Sequence, residues 1–139
     1  MYTPLSLLSA ALLFAAPHMT MADEVWSSSQ YGQILYADEI ANTAVFTMSG
    51  SHPGSSIHMY LPGLAGNYTT RGIHVGYWIE TAPGNCSSNK TGVDNVSSDA
   101  WGRLEVVFEN PGFPSGFTMR LGACDGGYTD EAWAAPVTN

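Results

Sequence analysis

The sequence predicts an all-β fold, an antiparallel Greek-key β-sandwich of about seven or eight short strands with one disulfide. Three observations predict it. Short runs rich in β-branched and aromatic residues recur between turns built on Gly, Pro, Asn and Asp. No stretch carries a convincing apolar stripe at helical spacing, and residues 131–135 offer one helical turn at most. Two cysteines are present, Cys86 just past the Pro83-Gly84 turn and Cys124 just after the strand at 117–121.

The 139 residues suffice for one domain. Residues 5–16, LSLLSAALLFAA, form an uncharged apolar run of signal-peptide length, too short to span a bilayer. Thr20-Met21-Ala22 offers small residues for cleavage before the first charges, Asp23 and Glu24. We therefore expect a signal peptide over 1–22, a domain over 23–139, and a secreted or periplasmic location. In such an oxidising compartment Cys86 and Cys124 are expected to pair.

Taken in order, residues 31–37 read as a first strand and 43–49 as a second. The turn 50–54 leads to a third strand at 56–61, with Ile57, Met59 and Leu61 on one face and His58 and Tyr60 on the other. After Pro62-Gly63 comes the most regular strand, 72–80. Ile73, Val75, Tyr77 and Ile79 alternate with His74, Gly76, Trp78 and Glu80, and Pro83-Gly84 ends the run before Cys86. Residues 83–101 read as a long loop with a short extended piece at 94–97. Strands follow at 103–109 and 117–121, and 128–139 reads as a loosely ordered tail from which Trp133 folds back.

Net charge is −8, and the four basic residues, Arg71, Lys90, Arg103 and Arg120, are scattered. Nucleic acid and anionic membranes need a positive patch, so neither is an expected partner. No second long apolar run exists to span a membrane. Asn67, Asn89 and Asn95 head glycosylation sequons that matter in a eukaryotic host, while the one at Asn85 is hindered by Cys86.

The ordered motifs resemble the copper/zinc superoxide dismutase family across about residues 43–126. Gly72-Ile73-His74-Val75 and then Cys86 are similar to its first copper-ligand strand and first bridged cysteine. Leu64-Ala65-Gly66 is similar to a family turn. The run from Asp94 to Leu104 follows the family phrase before a later strand, and Arg120-Leu121-Gly122-Ala123-Cys124 resembles the segment carrying the second bridged cysteine. The resemblance implies a sandwich bridged from Cys86 to Cys124, with His74 at a copper-ligand position. It also shows what is missing. Gly76 stands at the second histidine of that strand, the zinc-loop histidines are absent, and no histidine follows His74.

Redox copper needs several nitrogen ligands converging on one ion. His74, His58 and His52 form a three-nitrogen site if strands 56–61 and 72–80 pair with their histidines on one face. No G-x-S-x-G elbow marks a hydrolase, and no catalytic residue is expected. Trp78, Tyr60 and Trp101 are a candidate aromatic binding face. The leading expectation is thus an exported, ligand-poor relative of the dismutases, without catalysis or cofactor, serving as a binding or structural module for an extracytoplasmic protein or glycan. The alternatives are a copper-binding, superoxide-handling protein and an aromatic-faced carbohydrate- or protein-binding module.

Overall fold

Alternation of apolar and polar residues makes two-faced strands, and such strands must bury one face. Here they do so by closing on themselves. The computed structural model describes residues 24–137. The expected export segment, 1–22, lies outside the described residues, as do residues 138 and 139. Ten strands follow in order: β1 (Val25–Ser28), β2 (Gly32–Ile40), β3 (Thr43–Ser49), β4 (Ser56–Pro62), β5 (Ile73–Glu80), β6 (Lys90–Thr91), β7 (Ser97–Ser98), β8 (Trp101–Phe108), β9 (Phe117–Gly122) and β10 (Tyr128–Pro136). Eight of them form one closed antiparallel barrel, and β6 and β7 form a separate small hairpin.

The expected Greek-key sandwich is therefore corrected in two respects. The sheet is closed rather than split into two layers, and barrel strands adjacent in the chain are adjacent in space. The strands that close it are the two the sequence reading lacked. β1 pairs with β10, matching Trp26 to Pro136 and Ser27 to Ala135. The supposed loose tail is thus strand β10, bonded to β9 on its other side. It was hard to see because its large residue faces out. Trp133 is 55% exposed, while the small Ala132 and Ala134 point inward.

Inside, an eight-stranded barrel is narrow enough for side chains to fill. Trp26 from β1 stacks on Phe46 at 5.0 Å between ring centres, and Phe117 meets Trp26 edge-on at 5.2 Å. All three are fully buried. Burying each such ring contributes roughly 1.5–3 kcal/mol. β5 shows how closure redirects a face: Ile73 and Val75 are 67% and 61% exposed, whereas Trp78 packs on the interior cluster. The apolar-looking set of β5 is its outer one.

The 20-residue connection from β5 to β8, residues 81–100, folds back over the outer wall as a flap. Its Val96 packs with Val45, Tyr60 and Ile79, which point outward from β3, β4 and β5. Gly92 sits directly on the Tyr60 ring, where an added Cβ would fall 2.3 Å from ring atoms. Cys86 in the flap is bonded to Cys124 after β9, with Cα atoms 5.6 Å apart. The expected disulfide is present. Lys90 completes the attachment, its ammonium 4.8 Å from the Tyr77 ring centre and 4.9 Å from that of Trp101.

Candidate functional site

The antiparallel register divides the connections between two barrel ends. Glu24, the 63–72 loop and the 109–116 turn share one end. The 50–55 turn, the flap and the 123–127 turn share the other.

The first end is plugged. Arg71 donates to both carboxylate oxygens of Glu24, and both side chains are buried. The guanidinium also lies 5.2 Å from the Phe108 ring centre. Beside it, the Tyr36 and Tyr68 hydroxyls donate to Glu39 Oε1 at 2.7 Å each. Burial pushes Glu39 up, but these hydroxyls and the Gly66 amide outweigh it and leave its pKa lowered. Burial, then the bond to Glu39, pushes Tyr36 up. His74 belongs to this plug. It faces inward, edge-on to Phe108, and its Nε2–H donates to the Arg71 carbonyl at 2.8 Å.

The second end is open. A pocket of about 240 Å³ is lined by Trp78, Trp101, Glu80, His52, Asp99 and the disulfide, among others. Glu80 points in from β5 and is almost fully buried. The Ser51 amide donates to it at 2.9 Å, the Ser51 hydroxyl at 2.8 Å and His52 Nδ1 at 3.0 Å. Burial raises the Glu80 pKa, but these donors more than offset it, so the net shift is downward. An ionised carboxylate only accepts hydrogen bonds. Nδ1 of His52 is thereby the donor.

A third cluster lies on the outer wall under the flap. Asp94 Oδ2 is 2.7 Å from His58 Nδ1, and the Tyr60 hydroxyl donates to Oδ1 at 2.6 Å. Burial raises the Asp94 pKa, and the bonds from Tyr60, His58 and the Val96 amide bring it below its ordinary value. On the far side of the imidazole, Ser56 Oγ lies 3.2 Å from His58 Nε2.

The structure does not assemble the three-histidine site. β4 and β5 do pair, but His58 lies opposite Ile79. Ile79 and His74 are five residues apart, an odd number, so the two imidazoles face opposite sides of the wall. His52 stands at the other end from His74, bonded to Glu80. Among the described residues no group of three or more His, Cys, Asp or Glu side chains is placed to hold a metal ion. At Gly76, where the dismutase strand has its second histidine, even a Cβ would lie 1.8 Å from the Tyr60 carbonyl oxygen.

The expected aromatic face is also divided. Trp78 packs on the interior cluster and Trp101 joins Tyr60 in the outer one, although both tryptophans contribute to the pocket lining. Tyr60 is fully buried beneath the flap, its ring 4.7 Å from that of Tyr77, and burial followed by the bond to Asp94 raises its pKa. Of the sequon asparagines, Asn89 and Asn95 are exposed. Asn67 is half-buried and its amide is engaged with Thr70.

Sequence reasoning missed the Ser56–His58–Asp94 arrangement. Its local signal was present, because S-I-H on a strand puts Ser56 and His58 on one face. The partner carboxylate lies 36 positions beyond His58, and only flap closure brings it there. Fold and sites together define a closed up-and-down antiparallel barrel with an external, disulfide-tethered flap and one open end. Comparison with family models, curated proteins and solved structures finds no match.

Proposed function

We propose that this chain is an exported binding module that holds a sugar residue of an extracytoplasmic glycan in the open-end pocket. The observation that carries the proposal is the pocket itself, whose lining includes Trp78 and Trp101 together with the polar residues His52, Asn85 and Asp99. Aromatic rings accept the apolar face of a sugar, and a few fixed polar groups orient its hydroxyls. A disulfide beside the pocket suits an oxidising compartment. Arg103, Glu105, Arg120 and Glu131 on the outer wall suit water rather than lipid. Among the described residues no helix is long and apolar enough to cross a membrane. The acidic balance disfavours nucleic acid as a partner.

The dismutase resemblance enters this proposal only as a likeness of local phrases around Cys86 and Cys124. The copper reading through His74, His58 and His52 is not preferred, because strand parity separates His58 from His74.

The test is a glycan array read with the wild-type chain and with Ala123→Trp. Ala123 is exposed and lines the pocket, so the larger ring fills the site without entering the barrel core. Wild-type binding to a defined glycan, lost in Ala123→Trp and accompanied by a change in tryptophan fluorescence, supports the proposal. Binding that Ala123→Trp leaves intact, or no glycan binding at all, rejects it.

A further inference from the structure

The Ser56–His58–Asp94 cluster lies on the outer wall, apart from the pocket, and no role in ligand binding accounts for its order. Its connectivity follows from elementary acceptor and donor rules. The ionised Asp94 accepts at 2.7 Å, so His58 Nδ1 is the donor. The neutral ring then has its lone pair on Nε2. Ser56 Oγ, 3.2 Å away, is the donor to that lone pair. A serine hydroxyl aimed at a histidine whose far nitrogen is held by a carboxylate is the arrangement that activates a nucleophile, whatever the chain order of the three residues.

Two features hold the arrangement in place. The Tyr60 hydroxyl and the Val96 amide both donate to Asp94 Oδ1, which leaves Oδ2 directed at the imidazole. Ser56 and His58 are fixed by β4, whose ladder to β3 pairs them with Ser49 and Thr47. The nucleophile also has a neighbour suited to developing charge. Thr81 Oγ1 accepts the Ser56 amide N–H at 2.9 Å and lies 3.5 Å from Ser56 Oγ. Having accepted that bond, its hydroxyl retains a hydrogen to offer an oxyanion. Ser56 is half-buried and Thr81 exposed, so a substrate reaches them from solvent.

We propose that Ser56, His58 and Asp94 form a hydrolytic relay on the outer wall that cleaves small carboxylic esters. Ser56 Oγ bonds to the ester carbonyl carbon as its proton passes to His58 Nε2. The bond from that carbon to the alkoxy oxygen breaks, and His58 returns the proton to the departing alcohol. Water then attacks the acyl-serine, giving one proton to His58 and releasing the carboxylic acid. The proton returns to Ser56 Oγ. No oxidant, reductant or metal is consumed. Ser56 and His58 are the catalytic residues, and Asp94 is a positioning residue.

The experiment uses the mature, disulfide-bonded chain with p-nitrophenyl acetate as substrate and a fluorophosphonate as covalent probe. The expected result is ester hydrolysis above the rate of an equal concentration of free imidazole, with one probe adduct mapped to Ser56 by mass spectrometry. Ser56→Ala removes the adduct and, like His58→Gln, lowers hydrolysis by about 100-fold or more, the contribution typical of a positioned base and its nucleophile. Asp94→Asn slows labelling, and Asp94→Glu restores part of the rate, a recovery that a purely structural role does not produce. Circular dichroism confirms that each variant keeps the barrel. Hydrolysis no faster than imidazole, an adduct on another residue, or activity that survives Ser56→Ala would each overturn the proposal.

Discussion

The two ends of the barrel are built from the same elements and closed by different chemistry. At the Arg71 end, charge is paired inside: a buried guanidinium and carboxylate meet across 47 residues of sequence. At the Glu80 end, a buried carboxylate is met by a backbone amide, a hydroxyl and an exposed histidine, and a pocket remains beside it. The difference teaches where each end spends its polar groups. A paired ion plug satisfies itself and leaves no donor for a ligand, while a carboxylate held by light, loop-borne donors leaves room next to it. The first end is closed by its own ion pair, and the second keeps a pocket beside its carboxylate.

The largest effect expected from this contrast is at the plug. Glu24→Ala removes the carboxylate facing Arg71, and breaking a buried pair from one side costs about 3–5 kcal/mol. Urea unfolding read by tryptophan fluorescence measures it, and a loss below about 1 kcal/mol would erase the distinction between the ends. At the open end the comparable device is covalent. The double change Cys86→Ser and Cys124→Ser releases a loop with a sequence separation of 38 residues. In the chain-entropy account this removes about 3–4 kcal/mol. Hydrogen exchange should rise in residues 83–100 and stay low in β1 and β10.

Smaller effects sharpen the comparison. Tyr60→Phe deletes the donor to Asp94 and costs about 1.5–3 kcal/mol, the range for a hydrogen bond to a charged group. Thermal melts measure it, with loosening expected in the flap and not at the plug. Gly92→Ala loosens the same contact by placing a methyl against the Tyr60 ring.

Acid acts at both ends and beneath the flap. Glu80, Asp94 and Glu39 have folded pKa values below their ordinary ones. A depressed carboxyl binds protons less readily when folded than when unfolded. Its stabilisation is full above the ordinary carboxylate range and is lost as pH falls through that range to the lower folded values. Melting temperature should therefore hold from pH 7 to about 5 and fall below it. In Glu80→Gln the fall should be shallower, and a curve identical to wild type would remove Glu80 from the account.

Much of the wall was legible in the chain. The strands at 43–49, 56–61, 72–80 and 117–121 stand within a residue or two of β3, β4, β5 and β9, because strong β-formers alternate there between turn residues. The site was less legible. Trp78, Trp101 and Tyr60 were read as one face, yet Trp78 packs on the barrel interior while Tyr60 and Trp101 belong to the cluster outside the wall. Alternation tells which residues share a face and not which face is the inside. The histidines fail for the same reason, since their separation depends on which residues β4 and β5 set opposite each other.

By itself, then, the sequence determined that the chain is β-rich and turn-punctuated, and that two cysteines are available for one bridge within it, since these are matters of local preference and count. Closure was decided by tertiary structure. β1 is four residues long and β10 carries its bulk outward, so neither announces itself locally, and their pairing becomes favourable only when it removes both free edges and seals Trp26 against Phe46 and Phe117. The meeting of Asp94 with His58 was decided in the same way, by a flap whose position depends on the wall it covers.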